Sequence, residues 1–368
     1  MKIKLGLLYG GKSAEHEVSL LTARAVSQAI NFDKYEVYPI FITKTGEWRK
    51  GNALIGPAET VQMLQFGERE SKPNNIISFL PEEVSANSAM ETKTDSNLDV
   101  IFPLLHGPNG EDGTVQGLLE VLNLPYVGNG VLASAAGMDK VVMKQLFAQA
   151  GLSQVPYVHF IRKEWKNNQA ALLKKMEENL KWPLFVKPAN LGSSVGITKA
   201  TNREELLKAV EFAFKYDRKI IVEQGIVARE LEMSVLGNDA PRCSVAGEVL
   251  PTKDFYDYEA KYEDGTTNYA IPANVSTELL KKMEDAAIRA FKVLDCSGLV
   301  RADFFVTENE EVLINEVNTM PGFTPISMYP KLWIESGLSY SDLIEELITL
   351  ALERYEEKQQ LEHSKDGE

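Results

Sequence analysis

Four residues near the end of the chain could do chemistry together: Arg301, Asp303, Glu316 and Asn318. They lie in the stretch 300–322, VRADFFVTENEEVLINEVNTMPG. Residues 300–307 and 312–318 are rich in Val, Ile and Phe, and a polar T-E-N-E-E cluster separates them, which is the pattern of a β-hairpin. With a two- or four-residue turn around Asn309-Glu310, Asp303 lies opposite Glu316 and Arg301 opposite Asn318; a three-residue turn breaks that register. Side chains alternate along a strand, so these four share one face while Val300, Ala302, Phe304 and Val317 take the other. Two opposed carboxylates repel. A hard divalent cation removes that penalty, and carboxylate and amide oxygens are ligands Mg²⁺ accepts beside phosphate and water. The plain alternative is a hairpin with one wet, charged face. The Asn-Thr-Met-Pro-Gly exit favours the ligand reading, because a tight Pro-Gly turn lets backbone approach a substrate.

A phosphate-bearing partner for such an ion needs cations. Lys187 ends an apolar strand at 183–187, where an unpaired ammonium is costly. The loop 190–196, NLGSSVG, follows at once; its backbone N–H groups and two hydroxyls suit a lid over phosphates that excludes water, against the alternative of a plain hairpin turn. The segment from Glu223 through Gln224 to Ile226 could present a carboxylate and backbone groups to an adenine edge, or could simply connect domains. A polar, aromatic loop at 254–268 carries Lys261 and Tyr262, and loops of that length are commonly functional or disordered. Gly6 to Ser13, GLLYGGKS, formally matches a phosphate-cradling P-loop. Leu7, Leu8 and Tyr9 continue a strand, however, and Glu15 and Glu17 are poor neighbours for a triphosphate. A carboxylate at Glu15 suits a substrate ammonium instead.

The rest of the chain must position these groups. Its 368 residues allow two or three domains, and 44% apolar with 25% charged residues is ordinary for a soluble globular protein. The net charge of −14 argues against a nucleic-acid partner and leaves a nucleotide to a few local lysines and arginines. Cys243 and Cys296 lie in apolar contexts, which suggests a reducing cytosol without disulfides. No apolar run is long enough to span a membrane, and the apolar start is too short for a signal peptide. Strand 4–9, helix 17–30 with an apolar stripe of Val18, Leu21, Ala25, Val26 and Ala29, and strand 35–43 make a β-α-β unit and imply a parallel sheet. Residues 44–97 read as turns, a short helix near 59–66 and an exposed insertion. Strand 99–105 leads into the glycine-rich loop 106–113 and a helix at 114–122. His16 and His106 lie in the two crossover loops at one sheet end and mark a cleft. Glu111 and Asp112 read as acids compensating a helix dipole. A second unit starts near Val131, with one helix from 137 to 150. Strands at 230–236 and 244–250 and helices at 276–294 and 341–355 complete the pattern.

HGPNGEDGTVQG (106–117) and SGLVRADFF…VLINEVNTMPG (297–322) resemble the two signatures of D-alanine–D-alanine ligases. GGKSAEHEVSL (10–20), MDK (138–140), VKPANLGSSVG (186–196) and DYEAKY (257–262) stand in the same order as in that family. The resemblance implies the ATP-grasp fold, three α/β domains at 1–130, 131–226 and 227–360 with a frayed tail at 361–368, and ATP between the central and C-terminal domains. It implies that Lys140, Lys187 and Lys261 meet ATP phosphates, that Glu223, Gln224 and Ile226 meet adenine and Glu230 the ribose, and that Asp303, Glu316 and Asn318 hold two Mg²⁺ or Mn²⁺ ions. Glu15 would bind the ammonium of the first D-alanine, and His106 would be a substrate-binding residue beside it. Arg301 and the Gly322 N–H would form the oxyanion hole. Ser193, Tyr262 and Glu15 would form one hydrogen-bonded set, and Ser327 and Met328 would meet the second D-alanine's carboxylate. Gln224 stands where some relatives have Lys, so one adenine contact is altered or made by backbone. Tyr262, where depsipeptide-forming relatives commonly have His, implies an amine nucleophile and a dipeptide product. A homodimer working in the cytoplasm on peptidoglycan precursors is implied as well.

Overall fold

A computed structural model of the chain describes residues 1–67, 98–250 and 268–362. Three sheets organise it. In the first, β1 (Ile3–Gly10) is a near-continuous apolar run, six of its eight residues fully buried, as a central parallel strand requires. Helix α1 (His16–Ala29) crosses to β2 (Tyr35–Ile42), β3 (Trp48–Lys50) adds an antiparallel edge, and β4 (Val100–Pro103) pairs parallel on the other side of β1. Leu7, Leu8 and Tyr9 lie inside β1, and the Gly11 N–H bonds the Ile42 carbonyl, so the P-loop pattern forms no phosphate cradle. Gly10 is required where it stands: a Cβ there would come 2.1 Å from the Ile42 oxygen.

The apolar stripe expected on α1 is corrected. Leu21 is half exposed, and the inward face is Ser19, Leu20, Ala23, Val26 and Ser27. Small hydroxylated residues are tolerated there because each finds a backbone partner. Ser19 Oγ donates to the Leu104 carbonyl and accepts from Gly10 N–H, and Ser27 Oγ accepts from Ala58 N–H. Hydrophobicity counting misses a face that is sealed by hydrogen bonds.

Helix α2 (Thr114–Val121) follows the glycine-rich loop. The single helix expected over 137–150 is two: α3 (Val131–Met138) and α4 (Lys140–Gln149). Asp139 separates them, in extended conformation, and its carboxylate accepts from the N–H groups of Val141 and Val142 as the N-cap of α4. The second sheet then forms from β5 (Tyr157–Ile161), α5 (Arg162–Asn179), β6 (Leu184–Pro188), β7 (Thr198–Ala200), α6 (Arg203–Ala213) and β8 (Lys219–Gln224), in the order β5-β8-β6-β7, all pairs antiparallel.

The third sheet takes β9 (Arg229–Gly237), β10 (Arg242–Leu250), β11 (Asn268–Ala270), β12 (Gly298–Val306) and β13 (Val312–Asn318), in the order β11-β10-β9-β12-β13. Helix α7 (Thr277–Val293) covers one face, capped by Ser276. Two further helices follow, α8 (Met328–Glu335) and α9 (Tyr340–Gln359). α9 returns to the first sheet, where Leu343, Ile344, Leu347 and Ile348 join one core with Leu5, Leu7, Val26 and Phe102. The two ends of the chain thus share a core, which Leu299, Met320 and Phe323 at the open end of the hairpin also join. The expected helix near 59–66 is a single 3₁₀ turn, Val61–Leu64. β3, α3 and α8 had no clear sequence pattern.

The hairpin pairs Asp303 with Glu316 and Arg301 with Asn318, as expected, by a different route. Its turn has three residues, with Thr307 N–H bonded to the Glu311 carbonyl and Glu310 at φ 55°. That turn pairs Val306 with Val312 and would break the register. A bulge at Asn315 then shifts the pairing between Asp303 and Phe304 and restores it. Ile314 faces the core while Asn315 and Glu316 both reach the cleft.

Candidate active site

The hairpin's polar face opens onto a cleft of about 780 Å³ between the second and third sheets. The cleft is lined by Lys140 from α4, Lys187 from β6, Ser193 and Ser194 from the loop after it, Glu223 and Gln224 from β8, Ile226, Glu230 from β9, and Arg301, Asp303, Glu316 and Asn318. Residues spread over 179 positions, from Lys140 to Asn318, therefore meet. Lys261 and Tyr262 lie outside the described residues, as do most of the insertion expected at 44–97 and the last six residues.

Strand geometry puts Lys187 beside Glu223. Phe185 pairs with Glu223 across β6 and β8, so Lys187, two residues on, projects from the same face. Its Nζ is 2.6 Å from Glu223 Oε2, and Lys144 Nζ, from α4, is 3.1 Å from Oε1. All three side chains are deeply buried. Burial pushes the Glu223 carboxyl up, but the two ammonium groups outweigh it and hold it at about 2. Burial pushes Lys187 down, and Glu223 and Glu316 more than reverse this, so it stays charged. Glu223→Gln would leave two buried ammonium groups facing a neutral amide. A cost of about 3–5 kcal/mol is expected in urea unfolding at neutral pH. The sign with pH follows: Glu223 is ionised above its ordinary 4.5 and protonates in the fold only near 2, so its contribution is present above 4.5 and lost as pH falls toward 2. The variant's stability should therefore fall less steeply than wild type in that window, and parallel curves would refute the assignment.

Arg301 is buried between two acids. Its Nε and one terminal nitrogen each bond a different Asp303 oxygen at 2.7 Å, and Nε lies 2.9 Å from Glu232 Oε2. Asn318 Nδ2 donates to Asp303 Oδ2 at 2.9 Å, and Lys140 Nζ stands 3.5 Å from Glu316 Oε2. The repulsion between the opposed carboxylates is thus already eased by Arg301 and Lys140. Burial and the neighbouring Asp303 push Glu230 up. Two carboxylates and an amide on one face, open to the cleft, fit a hard divalent ion that completes its shell with phosphate and water. Among the described residues no group of three or more His, Cys, Asp or Glu side chains forms a self-contained metal site.

The loop over the cleft is held down at two points. Lys140 Nζ donates to the Leu191 carbonyl at 2.9 Å, and Ser193 Oγ donates to Glu15 Oε1 in a short hydrogen bond. Ser193 and Ser194 both adopt left-handed backbone, φ 52° and 57°, which costs about 1–2 kcal/mol each. Glu15 is buried, against Gly107, where a Cβ would come 2.7 Å from its Oε2. Glu111, expected to be a dipole-compensating acid, instead accepts from Gly107 N–H and lines the cleft; Asp112 does serve the turn, accepting from Asn109 and Thr114 N–H groups.

His106 is buried, with Nδ1 3.3 Å from the Met320 carbonyl and Nε2 3.4 Å from Thr22 Oγ1, and so bridges the first sheet to the hairpin exit. His16 is structural: its Nδ1 meets the Gly11 carbonyl and its ring packs edge-on against Phe41. Beyond the hairpin, Gly322 and Ser327 are adjacent, a Cβ on Gly322 lying 3.1 Å from Ser327 Oγ, which also bonds Thr324. The Met328 side chain packs with Val249 and Leu332 and leaves its backbone at the start of α8. Gln224 Oε1 accepts from Lys181 N–H.

Three residues of the site escaped the sequence reading. Lys144 could have been found from Lys140, one helical turn earlier on one face. Glu232 is two residues from Glu230 on β9, so alternation puts it on the same face. Asn129 is buried, donates to the Leu299 and Thr319 carbonyls at 2.7 and 2.8 Å, and ties the start of β12 to the exit of β13; nothing in its local sequence marks it.

Comparison with known proteins agrees with this geometry. Residues 4–129 match the family described as D-ala D-ala ligase N-terminus, and residues 146–349 its C-terminus. A D-alanine–D-alanine ligase of Bacillus pumilus is 59% identical over 362 residues, 98% of each chain, and one of Bacillus licheniformis is 58% identical over 99% of this chain and 100% of its own. Among solved structures, the D-alanine-D-alanine ligase from Coxiella burnetii superposes with TM-score 0.79 at 35% identity, covering 98% of this chain and 96% of its own. The VanG D-Ala:D-Ser ligase from Enterococcus faecalis does so with TM-score 0.82 at 37% identity, over 95% and 100%. With both halves of the chain matched and relatives aligned almost end to end, the chain has the ATP-grasp fold and belongs to the D-alanine–D-alanine ligase family.

Proposed function

We propose that the chain joins two D-alanine molecules at the expense of ATP, through a D-alanyl phosphate, to make D-alanyl-D-alanine for peptidoglycan precursors. The observation that carries this reading is the single cleft in which the opposed hairpin acids face Lys140 and Lys187 beneath a serine loop. A carboxylate is a poor acylating agent. Its oxygen attacks the ATP γ-phosphorus, ADP leaves, and an acyl phosphate forms. Lys140, Lys187 and Lys261 hold the phosphates, Glu223, Gln224 and Ile226 the adenine, and Glu230 the ribose. Asp303, Glu316 and Asn318 hold two Mg²⁺ or Mn²⁺ ions, which supply charge neutralisation for phosphoryl transfer when bound. Glu15 pairs with the ammonium of the first D-alanine, and His106 fixes the loop beside it. The amine of the second D-alanine, its carboxylate held by Ser327 and the backbone of Met328, attacks the carbonyl carbon; phosphate leaves and the amine gives up a proton. Arg301 and the Gly322 N–H face the oxygen on which charge builds, a donor of this kind being worth about 3–4 kcal/mol. The division at 1–130, 131–226 and 227–360, a homodimer and a cytoplasmic location belong to the same reading.

The loop keeps water from the acyl phosphate. Ser193→Ala removes its bond to Glu15. Ligation should slow about tenfold, as expected for a bond to a charged acceptor, and phosphate released should exceed dipeptide formed. Equal amounts of both products at an unchanged rate would count against the lid.

The testing experiment is phosphate release from ATP and Mg²⁺ with single amino acids of both hands. Turnover should require D-alanine. D-Serine as second substrate is the informative competitor, since the relative from Enterococcus faecalis at 37% identity is a D-Ala:D-Ser ligase. ATP binding without turnover would instead identify a non-catalytic sensor.

A further inference from the structure

Lys144 has a place in this site that its location outside the cleft conceals. Its side chain is 1% exposed, and it does not line the cleft, whereas its partner Glu223 and the second partner of that acid, Lys187, both do. Each Glu223 oxygen faces its own ammonium: Oε1 faces Lys144 at 3.1 Å and Oε2 faces Lys187 at 2.6 Å. Behind Lys144 lies the Tyr157 ring, 5.8 Å from Nζ. Tyr157 is the cross-strand partner of Glu223, so carboxylate and ring clamp one cation between them. Burial pushes the Lys144 ammonium down, Lys187 adds to this, and Glu223 opposes it only in part, so the group lies below the ordinary lysine range. A methionine would fill the same space without that cost. A buried cation serving only to pack is therefore a poor solution, and a pair of cations on one carboxylate calls for a division of labour.

We propose that Lys144 is a positioning residue for nucleotide binding: it is the standing counter-ion of Glu223, which frees Lys187 to turn from that carboxylate to the ATP phosphates. This rests on the reading of the cleft as an ATP site. Without Lys144, moving Lys187 toward phosphate would strand Glu223 as an unpaired carboxylate in the interior, so Glu223 and phosphate would compete for one ammonium. Lys144 itself touches no substrate. Its effect falls on ATP affinity rather than on the chemical steps.

The test is Lys144→Met, with Lys144→Gln as a second neutral variant should the first fail to fold by thermal melting. Steady-state kinetics are read beside direct calorimetric titration of ATP with Mg²⁺ in the absence of D-alanine. Both variants should raise the KM and Kd for ATP about 10- to 100-fold, equivalent to about 1.4–2.8 kcal/mol. kcat at saturating ATP and the KM for D-alanine should change by less than about threefold. In a Glu223→Gln background, Lys144→Met should add nothing to the ATP KM and should recover part of the lost stability, because the charge it serves is gone. A packing role predicts the opposite: kcat and both KM values shift together, and the two substitutions add. Unchanged ATP affinity in both neutral variants would overturn the proposal. Wild type that binds ATP but shows no D-alanine-dependent turnover would overturn the ligase reading alone, and the calorimetric comparison would still decide the role of Lys144.

Discussion

Lys187→Ala is expected to lower kcat/KM for ATP by about 10³ or more. The side chain is 11% exposed and sits 2.6 Å from a carboxylate that also faces the cleft. Truncation removes one of the two cations that hold Glu223 ionised at about 2 and, on the proposed reading, a charge-assisted contact to the phosphates. Removing one preorganised cation from a transferring phosphoryl group costs about 3–4 kcal/mol in the transition state, and 4 kcal/mol corresponds to roughly 10³ in rate. Lys12→Ala is the matched comparison. Lys12 is exposed and follows two glycines that leave β1 in left-handed conformation, so its loss should change kcat/KM by less than about threefold. Steady-state kinetics over ATP concentration check both. A large loss from Lys12→Ala with little from Lys187→Ala would move the nucleotide to the first sheet.

The second large effect belongs to the hairpin acids. Glu316→Gln removes one of the two carboxylates offered to a divalent ion and leaves Lys140 without its acid at 3.5 Å. The Mg²⁺ concentration for half-maximal rate should rise at least 30-fold, which is about 2 kcal/mol of lost interaction with a charged ligand. Asp303→Asn should do the same and more. Asp303 takes two hydrogen bonds from Arg301, so its loss loosens the group proposed to face the developing oxyanion as well as the proposed ion site. The two variants therefore separate by kcat at saturating Mg²⁺: largely recovered in Glu316→Gln, depressed a further tenfold or more in Asp303→Asn. Magnesium titrations with an unshifted midpoint in both would remove the acids from the metal site.

The local parts of this arrangement are legible in the sequence. Apolar runs mark the strands, and Lys187, the serine loop after it and Glu223 sit at strand ends or just beyond them. Alternation along the hairpin also pairs Asp303 with Glu316, but the fold reaches that pairing through two departures that cancel. A three-residue turn shifts the register by one, and the Asn315 bulge shifts it back. The bulge has no local sequence mark because it answers to packing: Ile314 must enter the core while Glu316 reaches the cleft.

Residue order and type alone determined most of the strands and the longer helices, Lys187 with the serine loop after it, and the acid face of the hairpin, because backbone periodicity and turn chemistry act over a few neighbours. Folding in three dimensions decided the partners. Which ammonium faces which oxygen of Glu223, that Arg301 lies between Asp303 and Glu232, and that Ser193 reaches Glu15 across 178 positions are results of sheets meeting. Charges choose partners by distance and burial, and neither is carried by the local pattern of a chain.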